Sequence, residues 1–137
     1  MIMMTIEEPI HSGNIILRSH WAVWGRLRKA YEWMIIAALA DAGLQMPADP
    51  PQHKMRVRIT SYRARFLDPD RLYAGATILV DALRKTRLIK NDSPRWLDLL
   101  VDQEIDSKNI RTKIRIEKFR KKEKKNVKKL SESNKMD

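Results

Sequence analysis

Cysteine is absent from the 137 residues, which excludes disulfide bridges and thiolate metal sites and leaves nothing to argue for an oxidising compartment. Long hydrophobic runs are missing too. The longest, residues 34–40, falls far short of the roughly 20 apolar residues that a membrane-spanning helix needs. The N-terminus lacks the basic start and extended apolar run of a secretory signal, so a soluble, reducing, cytoplasmic setting with no membrane partner is expected. No Walker-type glycine loop and no Ser/His/Asp pattern is present. The three histidines, His11, His20 and His53, stand apart without metal-ligand spacing. There is no internal repeat.

One thing is in excess. Lys and Arg total 28 against 17 Asp and Glu, a formal net charge of +11. Residues 118–137 hold nine basic and three acidic side chains, which accounts for +6 and leaves +5 on residues 1–117. The body of the chain is therefore basic in its own right. Such a balance suits a polyanionic partner, because each phosphate neutralised releases condensed counterions. With 43% hydrophobic residues and this length, one domain with a modest core is expected.

The periodicities order as β-α-β-α-β-β. A short strand is expected within residues 5–10. Ser19 is a plausible N-cap for a long helix whose apolar face carries Trp24, Leu27, Tyr31, Met34, Ile35, Ala38 and Ala42. Gly43 stands where a left-handed residue would close that helix, and Pro47, Pro50 and Pro51 mark the loop that follows. From Met55 the period becomes two, with Val57 and Ile59 alternating against Arg56, Arg58 and Thr60, a strand expected to reach about Phe66. Pro69 ends it, with Asp70 at the expected N-cap of a second helix faced by Leu72, Ala76, Leu79, Val80 and Leu83 and ending near Thr86. After the turn Asn91-Asp92-Ser93-Pro94, Leu97, Leu99 and Val101 outline a third strand. A hairpin over residues 106–109 is expected to lead into a fourth, with Thr112, Ile114 and Ile116 on one face. The expected fold is α+β: residues 1–118 form a single domain, a mixed sheet of about four strands with two helices, and residues 119–137 a basic tail, disordered or marginally helical.

Three aspartates stand out from the solvated acidic surface. Asp68 and Asp70 flank Pro69 at a strand-to-helix junction. Two residues apart in extended backbone, their side chains can point the same way. Hard carboxylate oxygens held so suit Mg²⁺, which takes one or two carboxylates and completes its shell with water and phosphate. Asp92, before the next strand, becomes a third candidate if the second and third strands are neighbours. Hydrolysis of a phosphodiester needs an activated water and stabilisation of charge on the phosphoryl group, and metal ions supply both. On spacing alone, an Asp-Pro-Asp before a helix is more commonly a turn with an N-cap.

The stretch LDPDRLYAGATILVDALRKTRLIKNDSP, residues 67–94, resembles the core motif of the RusA-like Holliday junction resolvases, crossover junction endodeoxyribonucleases often encoded by phages and prophages. That pattern reads D-x-D-N, a short helix with a lysine, D-A-L, and a linker ending in Asp-Asp. Asp68 and Asp70 match the first pair, Asp81-Ala82-Leu83 the D-A-L element, and Asn91-Asp92 the final pair. Asn14 before a Trp- and Arg-rich helix is similar to the family's N-terminal region, so the likeness covers about residues 14–117. It implies a homodimer that introduces paired nicks in four-way DNA junctions with Mg²⁺, Mn²⁺ being a substitute, with Asp68, Asp70 and Asp92 as catalytic metal ligands. Asp81, about three helical turns after Asp70, is a candidate to orient a neighbouring ligand or an ordinary exposed carboxylate. Three positions depart from the pattern: Arg71 replaces the Asn, Thr77 the helical Lys, and Asn91 the first Asp of the pair. They keep open a noncatalytic nucleic-acid-binding protein on the same fold, and more remotely a phage structural protein. Arg18, Arg26, Arg28, Lys29, Arg56, Arg58, Arg71 and Lys85 are candidate DNA contacts, as are Arg63 and Arg65, each also explicable as plain surface charge. Trp21, Trp24, Trp33 and Trp96 suit core packing first and base stacking second.

Overall fold

A computed structural model of the chain describes residues 1–10 and 21–120. The elements run β1 (Ile2–Ile6), α1 (Trp21–Asp41), β2 (Met55–Arg63), α2 (Pro69–Lys85), β3 (Leu97–Ile105) and β4 (Arg111–Lys118). This is the expected β-α-β-α-β-β order, in a single α+β domain with one four-stranded mixed sheet and two helices. Ser19 and Arg18, and the tail from residue 121, lie outside the described residues. No helix among the described residues is long and apolar enough to cross a membrane.

The strands lie in the order β1-β4-β2-β3, with β2 and β3 parallel and the β1–β4 and β2–β4 pairs antiparallel. The expected hairpin between the third and fourth strands is therefore absent, since β4 is inserted between β1 and β2. The reason is burial. Thr112, Ile114 and Ile116 are almost fully covered, which a strand achieves with neighbours on both sides, whereas β3, rich in Asp and Glu, suits an edge.

Registers align the inward side chains in rows across the sheet: Ile2, Ile116, Val57 and Leu99, then Met4, Ile114, Ile59 and Val101. The helices cover this face. Tyr31, Ile35 and Leu39 of α1 are buried against it, with Trp24, Leu27, Met34 and Ala38 partly buried beside them. Ala42, expected on that face, lies past the helix end and is exposed. α2 buries Leu72, Ala76, Ile78, Leu79, Val80 and Leu83, a stripe at helical spacing. On the opposite face of the sheet Met3, Arg58, Leu100, Lys113 and Arg115 are open to solvent.

The first strand occupies residues 2–6 rather than 5–10. Residues 7–10 instead form a strap tied down by three polar contacts: Thr112 Oγ1 donates to the Glu8 carbonyl at 2.6 Å, Tyr31 to that of Pro9 at 3.2 Å and Arg63 to that of Ile10 at 2.6 Å. β2 stops at Arg63, short of Phe66. The chain then turns onto Leu67, whose backbone N–H donates to the Gln103 side chain at 2.8 Å and whose carbonyl accepts from it at 2.6 Å.

Both helices close with the same hydrogen-bond pattern. At the end of α1, Gly43 has φ +75°, Leu44 N–H donates to the Leu39 carbonyl and Gly43 N–H to that of Ala40. This is the Schellman closure expected at a glycine. After α2, Leu88 N–H reaches the Leu83 carbonyl and Arg87 N–H that of Arg84. Here the left-handed residue is Arg87, φ 64°, where an L side chain is strained by about 1 kcal/mol.

Candidate functional site

α2 begins two residues earlier than its sequence suggests. Asp68, not Asp70, is the N-cap residue, and Pro69 occupies the first helical position, where its missing N–H is no loss and its fixed φ fits the helix. The Asp68 side chain makes no capping bond. Asp70 falls in the first turn, where negative charge complements the helix dipole. Both carboxylates are exposed.

Asp92 is carried by a turn in which Ser93 N–H donates to Asn91 Oδ1 at 3.1 Å and the N–H groups of Trp96 and Leu97 donate to the Ser93 carbonyl, each at 2.9 Å. The turn lays Asp92 alongside α2. It lines a hollow of about 200 Å³ with Tyr73, Thr77, Val80, Pro94, Leu97 and Leu99. Asp70 lines a second hollow of about 290 Å³ with Pro69, Leu72, Tyr73 and Val101. The two meet at Tyr73, and the inward side chains of β3 floor both. Asp70 and Asp92, 22 positions apart in the chain, thus share one groove between α2 and the edge strand, while Asp68 lines neither hollow. Among the described residues, no group of three or more His, Asp or Glu side chains is close enough to hold a metal ion together.

The other aspartates nearby are paired. Asp81 accepts from Arg84 at 2.8 Å and lies 3.6 Å from Arg28 of α1, so it ties the two helices together. Asp98 accepts from Arg56 at 2.9 Å and Asp102 from Arg58 at 2.8 Å, both on the open sheet face. Asp106 accepts from Arg111 at 2.9 Å, a bond that holds its carboxyl below the ordinary value. Among the described residues, Asp68, Asp70 and Asp92 make no hydrogen bond or ion pair through their carboxylates. Asp70 and Asp92 are two unengaged hard-oxygen donors lining the groove, and Mg²⁺ takes one or two carboxylates while keeping most of its shell for water and phosphate.

The basic candidates divide. Arg26 and Lys29 are exposed on α1, and Arg71 and Lys85 on α2. Arg28 is engaged by Glu32 and Asp81. Arg56 and Arg58 face away from the groove, across the sheet, and the Asp102 hydrogen bond raises the pKa of Arg58 further. Arg63 is a structural tie whose pKa burial lowers, and Arg65 is exposed. A further hollow of about 600 Å³ among the described residues is lined from β1 to β3 by Met3, Lys113, Arg115, Arg58, Tyr62 and Glu104, and by none of the candidate carboxylates. Thr77, at the departure from the lysine pattern, donates to the Ala74 carbonyl at 2.6 Å. Among the described residues, no lysine lines either hollow of the groove.

Two features escaped sequence reading. Trp33 is 66% exposed. It lies nine residues after the half-buried Trp24, half a turn round the helix, which is the signal that it leaves the core face. Tyr73 is 54% exposed in the middle of the groove. Its spacing, three after Asp70 and four before Thr77, puts all three along one side of α2.

No protein-family model matches the chain, and no curated protein matches it.

Proposed function

We propose that the protein is a metal-dependent endodeoxyribonuclease that cuts branched DNA, working as a homodimer in the cytoplasm of a bacterial cell, phage- or prophage-encoded. The observation that carries this reading is the groove between α2 and β3: Asp70 and Asp92 line its two hollows from separate elements, Asp68 precedes Asp70 at the helix start, and among the described residues none of the three carboxylates is held in an ion pair. The net charge of +11 supports a phosphate backbone as the partner of the surrounding surface. In this reading Asp68, Asp70 and Asp92 hold Mg²⁺, with Mn²⁺ as a substitute. The metal, when bound, lowers the pKa of a water and offsets charge on the phosphoryl oxygens. The chain's own part is to keep the carboxylates fixed at the helix start and in the Asn91 turn. The exposed cations of α1 and α2, Arg26, Lys29, Arg71 and Lys85, carry the DNA backbone.

A second reading has an observation of its own. Thr77 lines the Asp92 hollow, hydrogen-bonded to its own helix, and among the described residues no lysine lines that hollow. That favours a DNA-binding module on the same fold that does not cut. Incubation of a synthetic four-way junction with and without Mg²⁺, using wild type and Asp70→Asn, separates the two. Symmetric nicking that needs the metal and disappears in the variant supports the nuclease. Tight, salt-sensitive binding with no cut strand supports the module. Paired nicking also requires a dimer, so a monomer by light scattering at working concentration would count against it.

A further inference from the structure

We propose that Tyr73 is a stacking platform for an unpaired nucleobase and is the residue through which the groove selects branched or single-stranded DNA over continuous duplex. The inference rests on the proposed nucleic-acid reading and adds to it the feature of the substrate that is recognised. Tyr73 belongs to both hollows, with Asp70 on one side and Asp92 on the other. It projects from α2 beside a stripe whose other large side chains are buried, yet it remains 54% exposed. The walls on either side of it, Leu72, Leu97, Leu99 and Val101, are apolar and match the flat faces of a base.

A base inside a continuous duplex has both faces covered by its neighbours and has none to offer the ring. A base at a branch point or in a single strand does. Stacking of one base on an aromatic side chain is sequence-tolerant and is worth roughly 5- to 150-fold in affinity. Selection by Tyr73 therefore reads the state of the strand rather than its sequence. The ring performs this role and the hydroxyl does not, so phenylalanine substitutes for tyrosine and alanine does not.

The test uses the full chain without divalent metal, so that binding is read apart from cutting. DNA four-way junctions, flapped duplexes and continuous duplexes carry 2-aminopurine at the branch or at the matching duplex position. Wild type, Tyr73→Phe and Tyr73→Ala are compared, with circular dichroism confirming that each is folded. Wild type and Tyr73→Phe are expected to quench the fluorescence of the unpaired probe. Tyr73→Ala is expected to leave it bright and to bind branched DNA roughly 5- to 150-fold more weakly, with duplex affinity unchanged within about twofold. Quenching by Tyr73→Ala equal to wild type, or an equal loss on duplex and branched DNA, overturns the proposal. A Mg²⁺ arm keeps the two ideas apart. Nicking that does not depend on Tyr73 sinks the platform and leaves the nuclease. Tyr73-dependent quenching without nicking sinks the nuclease and leaves the platform.

Discussion

The two long sides of the sheet are finished differently. Towards β1, β4 and β2, inward side chains such as Ile59, Ile114 and Ile116 are covered completely, and the strap over residues 7–10 is tied down by Thr112, Tyr31 and Arg63. Towards β3, α2 leaves Leu99 and Val101 only half-buried. The shortfall is a groove flanked by carboxylates without partners. On the covered side the strap carbonyls of Glu8, Pro9 and Ile10 are taken up by side chains of the domain itself. The groove leaves apolar surface and charge unsatisfied, which weakens the fold locally and supplies what binding needs. The difference separates stability from function in space, and substitutions on the two sides should behave oppositely.

The largest contrast is in activity. Asp70→Asn is expected to lower metal-dependent junction nicking by at least ~100-fold, on the scale of losing one group that stabilises transition-state charge. Its free energy of unfolding in urea should stay within the ~0.5 kcal/mol usual for a surface change. A comparable fall in stability would show the carboxylate to be structural. The covered side should respond the other way. Ile59→Ala is expected to cost about 2–5 kcal/mol by urea unfolding, whereas Leu99→Ala, already part-exposed in the groove, should cost about 1 kcal/mol. Equal losses would mean that the groove is closed in solution. Asp81 belongs to the structural side despite its place in the D-A-L element. Asp81→Ala should destabilise by about 1 kcal/mol through the lost Arg28 and Arg84 contacts, with nicking per folded molecule unchanged.

Smaller effects sharpen the comparison at the connections. Arg87→Gly relieves the left-handed strain after α2 and should stabilise by up to ~1 kcal/mol, less whatever is lost with the Arg87 hydrogen bonds to the Pro47 and Ala48 carbonyls at 3.4 and 3.0 Å. A lower melting temperature in this variant would show that those bonds outweigh the strain. The smallest effect is at Asp106, whose carboxyl Arg111 holds below the ordinary 3.8. A carboxyl depressed in the folded state adds stability that is fully present above 3.8 and is lost as pH falls through the lower folded value. Asp106→Asn should flatten that part of the acid limb in unfolding curves measured from pH ~5 to ~2, and an unchanged slope would remove Arg111 as the cause.

Much of this organisation is legible in the residues. Alternation in Met55, Val57 and Ile59 marks β2, and the stripe from Leu72 to Leu83 marks α2 with its covered face. Gly43 marks a left-handed closure that the structure contains, while Arg87 takes the same conformation without any such signal. The start of α2 was displaced by two residues because Asp-Pro-Asp offers two capping aspartates. Proline fits the first helical position better than a place before it. The candidate site was legible as residue types only. Nothing local to Asp81 says that Arg28, 53 positions earlier, claims it, or that Arg56 and Arg58 point away from the groove.

By itself, the sequence determined the elements and their apolar faces, because a repeat of two or of 3.6 residues is a property of neighbouring side chains. It also determined the basic charge that makes a polyanion the natural partner. Only the tertiary structure decided that β4 lies between β1 and β2, that β3 is the edge, and that Asp70 and Asp92 share a groove centred on Tyr73. The same alternating pattern serves a central or an edge strand. Which one it becomes depends on the surfaces available to cover it from distant parts of the chain.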